Sequence, residues 1–198
     1  MARMQFPASA DMAPQQKLAY DEAAAGLRGH APAPMAAWIR NAELARRSQK
    51  LGEYIRFEIG LPGRLRELAV LVVARYWSAH NEWRIHKIEA VRHGLGEDVV
   101  KAIAARRRPT FESEADRVVY DIANSLLETR GIPDALYQDA VTNLGEKGLV
   151  ELVGVVGYYT YVSMTLAAFE IGLPENLQPE LLSNSAKSGN STDTFNED

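Results

Sequence analysis

The strongest constraint on how this chain folds is an 18-residue stretch without a formal charge, Leu152 to Phe169. Its length reaches the ~18 residues usual for a membrane-spanning helix. Its composition points elsewhere. It contains Gly154 and Gly157, three tyrosines, two threonines and a serine, and it is bracketed by Glu151 and Glu170 rather than by basic residues. Spanning helices carry basic flanks on their cytoplasmic side. The stretch therefore reads as a helix buried on all sides in a soluble bundle, with no membrane partner. A second apolar run, Leu68 to Ala74, has the length of a buried strand. Its flanks continue with good helix formers, and no nearby segment shows the alternation a partner strand would need, so it too reads as helix.

Around these runs the chain predicts helix after helix. The first runs from Pro14 to Ala25 and is broken by Gly26, Gly29, Pro32 and Pro34. A short one follows at Met35–Ile39. The next starts after Asn41, a good N-cap, and reaches Glu58, with Leu44, Leu51, Ile55 and Ile59 on its apolar side. Ser78 is a candidate N-cap, Gly94 a C′ residue, and Gly96-Glu-Asp98 a helix start with acids at the positive end. Phe111, Ala115, Val118, Val119, Ile122 and Leu126 then trace one face of a further helix. Gly145 separates the helix after Pro133 from the long apolar one. The expected organisation is an N-terminal helix and linker over 1–34, a helical domain over 35–175, and a flexible tail over 176–198, rich in Ser and Asn. Glu67-Leu-Ala-Val-Leu-Val-Val and Glu151-Leu-Val-Gly-Val-Val-Gly echo one another, which suggests two similar helical halves.

Composition narrows the chemistry. Acids exceed bases by 26 to 22, a net charge of −4, so an electrostatic grip on nucleic acid is not expected. There is no cysteine, which removes disulfides, thiolate metal sites and a thiol nucleophile. The N-terminus lacks the apolar core of a secretory signal, and a cytoplasmic location is expected.

The densest reactive cluster is Tyr76-Trp-Ser-Ala-His80-Asn-Glu82-Trp83-Arg-Ile-His86. Glu82 and His86 share a helix face at i,i+4, with Trp83 at its border. Glu67 is an acid entering an otherwise apolar helix, an environment that perturbs a carboxyl. Glu67 and His86 are 19 apart. On one straight helix that is ~28 Å at ~1.5 Å per residue, too far for a shared site. A site within one chain therefore demands a helix end near Trp77–Ala79. A metal alternative also exists: Glu82, His86, Glu89 and His93 fall on one face and have side chains suited to zinc or iron.

The run Leu61-Pro-Gly-Arg-Leu-Arg-Glu67-Leu-Ala-Val-Leu-Val-Val-Ala-Arg75, followed by Ala79-His-Asn-Glu82-Trp83-Arg-Ile-His86, resembles the carboxymuconolactone decarboxylase family of the alkylhydroperoxidase D-like superfamily. The later Gly148–Thr160 and Met164–Phe169 stretches are similar to its longer members, so the resemblance spans about residues 40–175. It implies an all-α, alkylhydroperoxidase D-like helical bundle that forms a homo-oligomer, trimeric or dimer-based. Peroxidatic members carry Cys-x-x-Cys four residues before a histidine; here Ala79 and Glu82 stand at those positions, so the resemblance points to a cysteine-free branch that is not a thiol peroxidase. Asn81 stands where an aromatic is frequent, and Ala167 where Asn is.

By that pattern Glu67 and His86 are the expected catalytic residues. His80, Glu82, Trp83 and Arg75 are the expected substrate-binding residues. Arg75 lies eight after Glu67 on the same helix face and would hold a carboxylate. The implied activity is a carboxymuconolactone decarboxylase-like lyase working without cofactor or metal on a small carboxylated lactone or related acid. In that reaction Glu67 would hold or relay a proton with a raised pKa. The alternatives are a non-catalytic oligomeric binding protein of the same fold and the metal-dependent enzyme named above.

Overall fold

The computed structural model describes residues 2–174 and 176–181. Among the described residues the regular structure is helical, with no strand. A 3-10 turn at Ser9–Asp11 precedes α1 (Pro14–Ala25), α2 (Met35–Trp38), α3 (Ala42–Phe57), α4 (Gly63–Trp77), α5 (His80–Arg92), α6 (Glu97–Ala104), α7 (Glu114–Glu128) and α8 (Asp134–Ala168). The expected all-α class holds.

The two apolar runs form the centre. Every residue of α4 from Leu65 to Arg75 is buried, and α4 packs against α5, α7 and α8. The echoing segments are thus the two helices that cover one another. α8 is long and apolar enough to cross a membrane by length and composition, and 56% of that window is buried within the protein. Gly145 interrupts it with φ 70° and ψ 165°, a left-handed-side conformation that suits glycine, so the apolar half begins just after the break.

Local signals explain most boundaries. The Asn41 side chain accepts a hydrogen bond from the Leu44 amide at 3.0 Å and caps α3. Gly94, φ 86°, follows the end of α5. At Ser78 the structure differs from expectation. It terminates α4 in the left-handed conformation, φ 51°, rather than capping α5, whose N-cap is Ala79. Its hydroxyl accepts from Arg75 Nη1 at 3.0 Å and lies 3.4 Å from Arg106 Nη2, which offsets the strain of a non-glycine residue there.

The buried side of α3 also differs. Leu44 is 47% and Leu51 51% exposed, whereas Ala45, Ser48, Gly52 and Ile55 face inward. The inner face carries small residues because α8 comes very close. A Cβ at Gly52 would lie 2.0 Å from the Tyr158 hydroxyl oxygen.

α1 packs on α3 with Ala19 and Ala23 buried. Most of the expected tail, 182–198, lies outside the described residues. Within residues 176–181, Leu181 is buried and Glu180 pairs with Lys87.

These placements give a paired stability test by chemical denaturation. Leu71→Ala, at 0% exposure, is expected to cost about 2–5 kcal/mol. Leu51→Ala is expected to stay within about 0.5 kcal/mol of the parent. A large loss at Leu51 would contradict the observed orientation of α3.

Candidate active site

The break at Ser78 meets the condition that a one-chain site imposed. α5 turns back along α4, and His86 Nδ1 comes to 2.6 Å from Glu67 Oε2. Each residue is 1% exposed. A carboxylate accepts only, so Nδ1 carries the hydrogen and donates it. The other Glu67 oxygen accepts from Arg66 Nε at 3.2 Å. On the far edge of the imidazole, Nε2 lies 3.6 Å from Glu82 Oε2. Tyr159 stands edge-on to the ring, centroids 4.8 Å apart.

This environment sets the charges. Burial pushes the Glu67 carboxyl up, but the hydrogen bond and charge of His86, together with Arg66, outweigh it and hold it below 4.5. Burial pushes His86 down, but Glu67 and then Glu82 outweigh it and hold it above 6.5. The expectation that Glu67 keeps a proton is therefore corrected. Both directions favour an ionised carboxylate and a protonated imidazole.

A cavity of about 30 Å³ opens beside His86, lined by Glu82, Tyr158 and Tyr159 and roofed by Arg28, His30 and Arg56. Arg28 and His30 belong to the linker after α1, and Arg56 to the last turn of α3. Burial pushes the Tyr158 hydroxyl up to about 12, with Arg28 opposing. The same Arg28, His30 and Arg56 border an open groove of about 690 Å³ on the Arg66–Glu67 side, joined there by Arg92 and His93.

Of the expected residues, the structure brings Glu67, His86 and Glu82 together. It places the others apart. Arg75 donates to the Ala104 carbonyl at 2.8 Å and to Ser78, and lines neither space around the pair. Its burial and these bonds make it a residue of the α4–α5 turn. His80 lines a separate cavity beyond Asn81. Trp83 is buried and faces a cleft shared with Lys87 and Val91. The metal alternative does not form. Among the described residues no three His, Asp or Glu side chains gather as a metal-holding set. Glu89 pairs with Arg92, and the His93 ring packs on Gly63.

Sequence reasoning missed Arg28, His30, Arg56 and Tyr158. Two sit in a glycine- and proline-rich linker with no spacing relation to the pair, and the tyrosine sits in a run whose apolar character reads as core.

No family model matches the chain, and no curated protein does. Among solved structures, the chain is similar to the crystal structure of an uncharacterized peroxidase-related protein from Silicibacter sp. TM1040. The TM-score is 0.68 at 14% identity, over 86% of this chain and 90% of that one. The likeness shows a shared all-helical fold, in agreement with the expected bundle.

The pair makes stability depend on pH in a defined sense. The His86 contribution is full below about pH 6.5 and fades as pH rises through its higher folded-state pKa. The Glu67 contribution is present above about pH 4.5 and is lost as pH falls through its lower folded-state pKa. Proton NMR of the His86 ring is expected to show a midpoint above 6.5. His86→Gln should flatten the stability–pH curve between about pH 6.5 and that midpoint; an unchanged curve would refute the charge assignment.

Proposed function

We propose that the chain is a cofactor-free carboxy-lyase of the carboxymuconolactone decarboxylase type, acting on a small carboxylated lactone or related acid. The observation that carries this reading is the buried Glu67–His86 pair at 2.6 Å, facing a cavity roofed by Arg28, His30 and Arg56. A general acid works near neutral pH when its own pKa is raised and its counter-ion stays ionised, and the directions of the two shifts support this role for His86 beside Glu67.

In the proposed reaction the arginines hold the substrate carboxylate, the task Arg75 leaves open. The bond to the carboxylate carbon breaks, CO2 leaves, and the electron pair passes into the conjugated lactone carbonyl as an enolate. His86 Nε2–H protonates the carbanion carbon, and the imidazole regains its proton from solvent. Substrate and one proton thus become product and CO2. Glu67 orients the imidazole and stabilises its charged form. The cavity has room for about one water, so the ring of a substrate enters as the Arg28–Pro34 segment moves outward. Without a cysteine the chain has no thiol for peroxide reduction. The same reading takes the protein as a homo-oligomer. Val150 is 71% and Val153 42% exposed on α8, an apolar pair suited to self-association.

The test is turnover of a carboxymuconolactone. His86→Ala is expected to lower kcat by about 10²–10⁴-fold, the range for loss of a general acid. Arg56→Ala should raise KM more than it lowers kcat, as expected for lost substrate binding. Activity of His86→Ala equal to the parent would remove the assignment.

For assembly, sedimentation of the parent and of Val153→Lys is the check. A smaller species for the variant is expected, and a monomeric parent would end the oligomer reading.

A further inference from the structure

Beyond the Glu67–His86 site, a second cavity of about 220 Å³ opens at the start of α5. Ser78, Ala79, His80 and Asn81 line one wall; Ser163 and Ala167 of α8 line the other. α5 has no side-chain cap, so its first amides find no acceptor within the helix. Such a terminus attracts negative charge.

A second observation points the same way. Ser163 is 1% exposed, and its hydroxyl has no hydrogen-bond partner. A buried helical serine would ordinarily bond back to the carbonyl four residues earlier, as Thr165 does to Tyr161 at 2.9 Å. The buried His80 Nδ1 and Trp77 Nε1 are also without partners, and both residues line this cavity. Burial and then the Arg75 charge push His80 toward its neutral form, and that same charge favours an anion nearby. Among the described residues, Glu170 is the one carboxylate lining this cavity, and it is paired with Arg3.

We propose that this cavity is a binding site for a small monocarboxylate. Its oxygens accept from the α5 amides, the Ser163 hydroxyl and the Trp77 indole N–H. The volume is below the ~300–1,000 Å³ of sites for drug-sized molecules, which limits the ligand to a few heavy atoms. Asn81 lines both this cavity and the one at His86, so it forms the partition between them. The site goes beyond the lyase reading and does not depend on it.

Acetate is the probe, titrated into the full ¹⁵N-labelled chain against chloride at matched ionic strength. Saturable shifts are expected at the amides of His80, Asn81 and Glu82 and at the Trp77 indole. Ser163→Ala removes an unpartnered hydroxyl and should leave the fold intact while weakening acetate by about ten-fold or more, as for a lost bond to a charged group. Ala167→Leu, which narrows the cavity from its wall, should abolish the saturable shifts. The proposal falls if acetate and chloride act alike, if shifts rise without saturation, or if Ser163→Ala binds acetate as the parent does. Shifts centred on Arg28, Arg56 and Tyr158 would put acetate in the His86 cavity and would also overturn it.

Discussion

The site depends on one turn. Glu67 and His86 meet because α4 stops at Trp77 and the chain reverses through a left-handed Ser78. That conformation costs a non-glycine residue of order 1–3 kcal/mol and persists when surrounding contacts over-determine it. Here the contacts come from Arg75 and Arg106, whose guanidinium groups reach the Ser78 hydroxyl, and from the Ala104 carbonyl that anchors Arg75. Arg75 therefore serves the pair at a distance, by holding the corner that brings α5 back onto α4.

A buried ion pair is not stable by virtue of being a pair. Desolvation of two charges can exceed their attraction, and excellent geometry with further hydrogen bonds is needed to compensate. The Glu67–His86 contact has those supports. Arg66 occupies the second carboxylate oxygen, and Glu82 stands at the far edge of the imidazole. Tyr159, itself buried and edge-on to the imidazole, excludes water on that side. The arrangement holds a proton on the imidazole at the one edge that also faces a cavity. This is a costly feature for a core, and it sits beside a cavity that the guanidinium groups of Arg28 and Arg56 also line.

The legible parts of this fold were those with period or punctuation. The all-round burial of α4, the Asn41 cap and the breaks at Gly94 and Gly145 all follow from residue patterns along the chain, whereas α8, expected to be buried on all sides, keeps one side exposed at Val153 and Met164. So does the need for a corner between Glu67 and His86, since ~1.5 Å per residue leaves no other way to join them. What was not legible depended on contacts between distant segments. The inward face of α3 carries Ala45, Ser48 and Gly52, because the Tyr158 hydroxyl occupies the space a Cβ would take. Leu44 and Leu51 consequently point outward, opposite to what amphipathic reasoning prefers. Arg28 and His30 are set over the site by the packing of α1 on α3, which no local pattern records.

Helical period also explains why one dense cluster of sequence became two places. His80 and His86 are six residues apart, and at ~100° per residue they point ~120° away from each other. His86 turns to Glu67 and the roofed cavity, while His80 turns to the cavity at the start of α5. Ala79, the N-cap residue of α5, lines the second of these cavities, and Glu82, one turn on, lines the first. Ala79 contributes a methyl group and Glu82 a carboxylate, with Asn81 between them lining both cavities. One turn of helix thus separates two pockets of different character: the Glu82 carboxylate and the His86 imidazole border one, and the unpartnered Ser163 hydroxyl and Trp77 indole N–H border the other.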